Sequence, residues 1–171
     1  LVQSERLPEI HSDAYETDPE VTVSCENQWG PAAVDGRVQL SFTDVQLPTE
    51  TTAPAFRGVN FHANLAQLII GNYGQALHSM RVLDLNADTG RLAFELAPHV
   101  KELVAIDFSA RFIRMLIQLQ ERGFMRYKVT DENELVFYRE VVLSDTGLGD
   151  GRERIKFMQD NANNLKPVYS G

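Results

Sequence analysis

The sequence predicts an α/β fold, the first part of a doubly wound parallel sheet, and three features predict it. One is an apolar run of strand length, Val82-Leu83-Asp84-Leu85, closed by small polar residues and followed at once by a helical pattern. Another is a repeat of that unit: Leu103-Val104-Ala105-Ile106 ends on Asp107 and leads into a helix from about Ala110 to Arg122. The third is spacing. Asp107 lies 17 positions past Gly90, close to the roughly 20-residue interval at which a carboxylate ending the second strand meets a ribose hydroxyl. Strand, turn, helix, strand, acid is the opening half of a Rossmann-like domain.

The amino-terminal part reads differently. Residues 1–14 show no period and are expected to lie extended. Thr17-Asp18-Pro19-Glu20 writes a helix start, with a capping side chain, a proline at the first helical position and an early acid. Val21 and Cys25 then share a face. Val21, Val23 and Cys25 also alternate, so a strand is the rival; the short helix is favoured, ending near Trp29-Gly30-Pro31. Between prolines, Val38, Leu40 and Phe42 alternate with polar residues as a half-buried strand does. Leu47 to Pro54 is linker-like. Residues 1–58 are therefore expected to form an irregular arm with little core of its own, docked on the domain or on another subunit. Residues 59–171 form the α/β domain.

Within that domain, Asn60 to about Ser79 carries a broken helical stripe of Phe61, Leu65, Leu68, Ile69 and Leu77, weakened by Gly71 and Gly74. Tyr73 and Leu77 are expected in the core. After the first strand, Thr89 or Asp88 is expected to cap a helix bearing Leu92, Phe94, Leu96 and Ala97, which Pro98 stops. In the next helix, Ser109 is the cap, Gly123 the end, and Phe112, Ile113, Leu116, Ile117 and Leu119 face the sheet. Phe124 to Val129 and Leu135 to Leu143 flank an acidic turn and predict a β-hairpin inserted before the third strand. Gly147 to Gly151 is a turn, and Ile155 to Met158 is the third strand. In strand order 3-2-1, Val82–Leu85 is left as an apolar edge, which proteins pair, cover or lose to aggregation.

Composition excludes several function classes. Apolar residues make up 43% of the chain and charged residues 23%, ordinary for a globular protein. No apolar run approaches the roughly 20 residues of a membrane span. Cys25 is the only cysteine, so neither an internal disulfide nor a cysteine metal cluster can form. The net charge is −8, and residues 1–58 hold most of it, with ten acids against three bases. Without a basic patch, nucleic acid is not an expected partner. The sequence begins at Leu1; removal of an organelle leader would give this start, and so would a disordered beginning.

Asp84-Leu85-Asn86-Ala87-Asp88-Thr89-Gly90 resembles the D-x-G-x-G-x-G turn of S-adenosylmethionine-dependent methyltransferases. Asp107-Phe108-Ser109-Ala110-Arg111-Phe112-Ile113, Gln120-Glu121-Arg122-Gly123, Glu134-Leu135-Val136, Tyr138-Arg139-Glu140-Val141 and Phe157-Met158-Gln159 are more specific. They resemble the carboxy-terminal mercaptohistidine N-methyltransferase domain of ovothiol-synthesising enzymes. The resemblance covers residues 60–171 and touches Tyr15-Glu16-Thr17-Asp18. It implies a cofactor cradle of Asp84, Asn86, Asp88, Gly90, Asp107 and Asn161, with Asp107 at the ribose and Asn161 at the adenine.

Two departures weigh against catalysis. Asn86 and Asp88 stand where the family has glycine, and their side chains fall in cofactor space, although both residue types tolerate positive φ. The sequence also stops at Gly171, where the family would begin a fourth strand and supply much of its acceptor site. No G-x-S-x-G elbow, H-E-x-x-H helix or phosphate-binding glycine loop offers another chemistry. His11, His62, His78 and His99 lack metal spacing and read as surface or capping residues. The expectation is a methyltransferase-like domain without a catalytic residue, metal or bound cofactor. Its partners would be other subunits, covering the Val82–Leu85 edge or the arm, in an organellar assembly. The alternative is an S-adenosylmethionine-dependent N-methyltransferase acting on a thiolated histidine.

Overall fold

The computed structural model describes residues 16–30, 61–130 and 135–169. Its centre is a three-stranded parallel sheet in the order β1-β2-β5, built from β1 (Arg81–Leu85), β2 (Glu102–Asp107) and β5 (Ile155–Gln159). Val82 pairs with Leu103 and Leu83 with Val104; on the other side Ala105 pairs with Phe157. Because β2 is the inner strand, both of its faces are covered, and Leu103, Ala105 and Ile106 are fully buried. The chain is thus α/β with a partial Rossmann-like sheet, as the sequence predicts.

The helices follow the sheet. α2 (Phe61–Tyr73) continues into a 3-10 segment, Gly74–Ser79, that delivers the chain to β1. α3 (Arg91–Leu96) connects β1 to β2, and α4 (Ala110–Arg122) follows β2. α4 is written as expected. Ser109 Oγ accepts from the Phe112 amide at 3.1 Å, and Gly123 closes the helix in the left-handed region at φ 77°. Phe112, Ile113, Leu116 and Leu119 are buried against the sheet. The inserted hairpin is present as β3 (Phe124–Thr130) antiparallel to β4 (Val136–Val142), with Met125 opposite Val141 and Tyr127 opposite Arg139.

α1 (Asp18–Trp29) forms as a helix rather than the rival strand, with Pro19 in its first turn. It lies on the domain: Val21, Cys25 and Trp29 are buried in the same core as Phe94, Leu116 and Tyr127. The expected strand Val38–Phe42, the linker after it and the hairpin turn lie outside the described residues.

Four local expectations are corrected. Thr17 is the N-cap of α1 but makes no side-chain cap bond. Tyr73 is 54% exposed rather than core, whereas Leu77 is buried. α2 buries its small face, Ala63, Asn64 and Ala66, and leaves Phe61 45% exposed. Neither Asp88 nor Thr89 caps α3; Gly90 takes the N-cap position at φ 81°. A Cβ there would stand 2.3 Å from Leu116 Cδ2, so close packing as well as the positive φ demands glycine.

Candidate functional site

Asp84, Asn86, Asp88, Gly90 and Asp107 lie at and just beyond the carboxyl ends of β1 and β2, where open α/β sheets hold ligands. The backbone builds it first. The Ala87 amide donates to the Ile106 carbonyl at 2.9 Å, carrying the β1–β2 ladder one residue into the turn. The Gly90 amide then closes back on the Ala87 carbonyl at 2.8 Å. Asn86 and Asp88 hold φ of 60° and 50°. The bend that glycines would make is therefore made by the two residue types best able to enter the left-handed region.

Asp107 is the knot of the site and is buried. Its Oδ2 accepts from the Asp88 amide and its Oδ1 from the Ser109 amide, each at 2.8 Å. Its carbonyl accepts from the Asp160 amide at 3.0 Å. One residue thus joins the turn after β1, the cap of α4 and the segment after β5. The carboxylate that the resemblance assigns to a ribose is engaged with the protein's own backbone on both oxygens.

Asp88 turns its side chain toward α1. Its Oδ2 accepts from Gln28 Nε2 at 2.9 Å. Burial, reinforced by the Asp107 charge, pushes its carboxyl up to about 6, although Ser24 and Gln28 pull the other way. Asp84 lies at the end of β1, and burial with the same Asp107 charge raises it to about 6 as well. Its Oδ2 is buried without a hydrogen-bond partner. Asn161 is exposed, and its Oδ1 accepts from the Asn163 amide at 2.9 Å, so its carbonyl serves a local turn. The structure therefore brings Asp84, Asn86, Asp88, Gly90 and Asp107 around the turn and spends Asn161 beside it.

The residues that complete the site lie in α1 and went unseen in the sequence. Gln28 is buried; besides Asp88, it caps α3 from outside, its Oε1 accepting from the Arg91 amide at 2.9 Å. Trp29 Nε1 donates to the Thr89 carbonyl at 2.8 Å, and the Arg91 guanidinium stacks over the Trp29 ring at 5.1 Å. Arg91 is itself buried, paired with Glu95 at 2.8 Å and donating to the Gln28 carbonyl at 3.0 Å. His62 stands with its Nε2 3.5 Å from Gln28 Nε2, and burial together with Arg91 lowers its basicity. It belongs to the wall of the site rather than to the surface. α1 carries no continuous apolar stripe, since Gln28 and Ser24 interrupt it, so no periodicity announced its docking.

The rest of α1 and the residue Glu16 before it are clamped to neighbouring elements. Glu16 accepts from the Ser109 hydroxyl at 2.9 Å and from the Arg111 amide at 3.2 Å. Asp18 pairs with Arg111 at 2.6 Å and Lys128 at 3.2 Å. Glu26 accepts from the Tyr127 hydroxyl at 2.7 Å and pairs with Arg139 at 2.5 Å.

At the position the resemblance assigns to a cofactor, each Asp107 oxygen accepts a backbone amide, the Asp88 side chain is bonded to Gln28, and Gln28 also sits at the start of α3. Among the described residues no group of three His, Cys, Asp or Glu side chains could hold a metal ion, and no helix is long and apolar enough to cross a membrane. No protein-family model matches the chain, and no curated protein matches it either.

Proposed function

We propose that the chain is a non-catalytic, methyltransferase-like domain that serves as a structural and interaction subunit of a larger protein assembly. One observation carries this reading: the turn is closed from within. Asp107 bonds the Asp88 and Ser109 amides, and Asp88 is held by Gln28. A ligand that displaced these contacts would leave buried polar groups without partners, at a cost of several kcal/mol. The acidic balance of residues 1–58 and the β1 edge, which among the described residues pairs only with β2 and leaves Leu85 45% exposed, suit a subunit held by neighbours. An organellar setting belongs to the same reading.

The test is calorimetric titration of S-adenosylmethionine and of its demethylated product into the folded chain. This reading expects no saturable heat from either. The second reading, an N-methyltransferase acting on a thiolated histidine, draws on Asp84. Its unpartnered Oδ2 and the preserved positive φ at Asn86 and Asp88 are what a cradle awaiting a hydrogen-bond donor would keep. Saturable micromolar binding favours that reading.

A further inference from the structure

The end of the sheet opposite the turn carries an open groove of about 930 Å³. α4 starts at the carboxyl end of β2 and runs back, so Arg122 and Gly123 lie toward the amino ends of the strands. β5, parallel to β2, starts at that same end, just after Arg152. The loop from Gly147 to Arg152 and the root of the hairpin complete the walls. Phe124, Val142 and Leu148 supply apolar surface, and Arg122, Arg126 and Arg152 supply cations. Small-molecule sites occupy roughly 300–1,000 Å³ and combine apolar walls with a few polar groups in this way.

Charge singles out two of the arginines. Arg126 is neutralised by Glu140 at 2.6 Å. Arg122 and Arg152 form no ion pair and donate no side-chain hydrogen bond to any described residue. Asp150, exposed at the rim, is the other acid of the lining, so the groove keeps a net positive charge in a chain of net charge −8. Arg152 is also held in place. It is half-buried, and Gln120 Nε2 donates to its carbonyl at 2.6 Å and to that of Ile155 at 2.7 Å. Its Nη1 lies over Gly123, 3.1 Å from where a Cβ would stand. The carboxyl end of α4 draws cations, which accounts for the place of both arginines and leaves their N–H groups without an acceptor.

We propose that this groove binds a small molecule carrying a phosphate on an apolar body. The guanidinium fork accepts oxyanions through charge-assisted hydrogen bonds, and an arginine already ordered by its surroundings makes them at a lower entropic cost. Two unpaired guanidinium groups match the double charge of a phosphate monoester better than the single charge of a carboxylate. The apolar body lies on Phe124, Val142 and Leu148. The site stands at the opposite end of the sheet from Asp107, so it does not depend on whether the turn admits a cofactor.

The probes are phenyl phosphate, inorganic phosphate, benzoate and benzyl alcohol, each titrated into the full chain while the amide resonances of Gly123, Gly147 and Gly149 are followed by NMR. Phenyl phosphate is expected to shift them saturably, at least about fivefold more tightly than any of the other three, and less tightly as salt rises. Arg152→Gln and Arg122→Gln should each weaken it by about tenfold. Arg114→Gln, an exposed arginine on the same helix but outside the groove, should leave it unchanged. The remaining resonances show that each variant is folded. No saturable shift, equal binding of inorganic phosphate, benzoate or benzyl alcohol, or an equal loss in Arg114→Gln overturns the proposal. S-adenosylmethionine in the turn would instead move the amides of Asp88 and Gly90, so this proposal and the scaffold reading fail separately.

Discussion

Gly90 and Asp84 show how much of the site is fixed by single residues. Gly90→Ala places a methyl group 2.3 Å from Leu116 Cδ2 at φ 81°, so it should cost about 2–4 kcal/mol by chemical denaturation. Asp84 and Asp88 titrate near 6 in the folded chain, above their ordinary value of 3.8. A raised acid contributes stability that is complete below its ordinary value and lost as pH rises through the folded one. The lowered acids Glu16 and Asp18 act oppositely, and only below about 4. His62, lowered by burial, adds stability above its ordinary value of 6.5. Asp84→Asn isolates one term. Relative to the parent, it should gain about 1–3 kcal/mol between pH 4.5 and pH 7.5. A pH-independent difference would contradict the burial of that carboxyl. The bend itself was legible in the sequence, because Asn86 and Asp88 are of the residue types that best tolerate positive φ. The engagement of Asp107 was not, because its two partners are backbone amides that any sequence would supply.

At the scale of elements, α1 holds the site shut. Gln28→Ala removes the donor to Asp88 and the cap of α3 together, and should cost about 2–3 kcal/mol. Trp29→Ala empties a buried site against Phe94 and drops the bond to Thr89, at about 3–5 kcal/mol. Both are measured as shifts in the denaturant midpoint at constant slope; changes within 0.5 kcal/mol would mean that α1 is not bound to the domain. The formation of α1 was readable from Thr17-Asp18-Pro19-Glu20. Its docking was expected on the domain or on another subunit, but the surface was not readable, because partners such as Ser109, Arg111, Lys128 and Arg139 lie about a hundred residues away. α4 and the hairpin were readable to within a residue or two, since their caps, stripe and alternation are local signals. α2 was readable in extent but not in orientation, as its larger side chains lie outside its buried face.

At the scale of the whole molecule, a three-stranded parallel sheet and a two-stranded hairpin are fastened together by a helix that also plugs the turn between β1 and α3. The same helix braces the hairpin through Glu26 and closes the turn through Gln28. The most direct test is the heat of S-adenosylmethionine binding to the folded full chain. A turn closed by Asp107, Asp88 and Gln28 predicts no saturable heat at cofactor concentrations up to about 1 mM, a bound on affinity near 4 kcal/mol. Saturable binding in the micromolar range would contradict it and favour the alternative proposal of an N-methyltransferase.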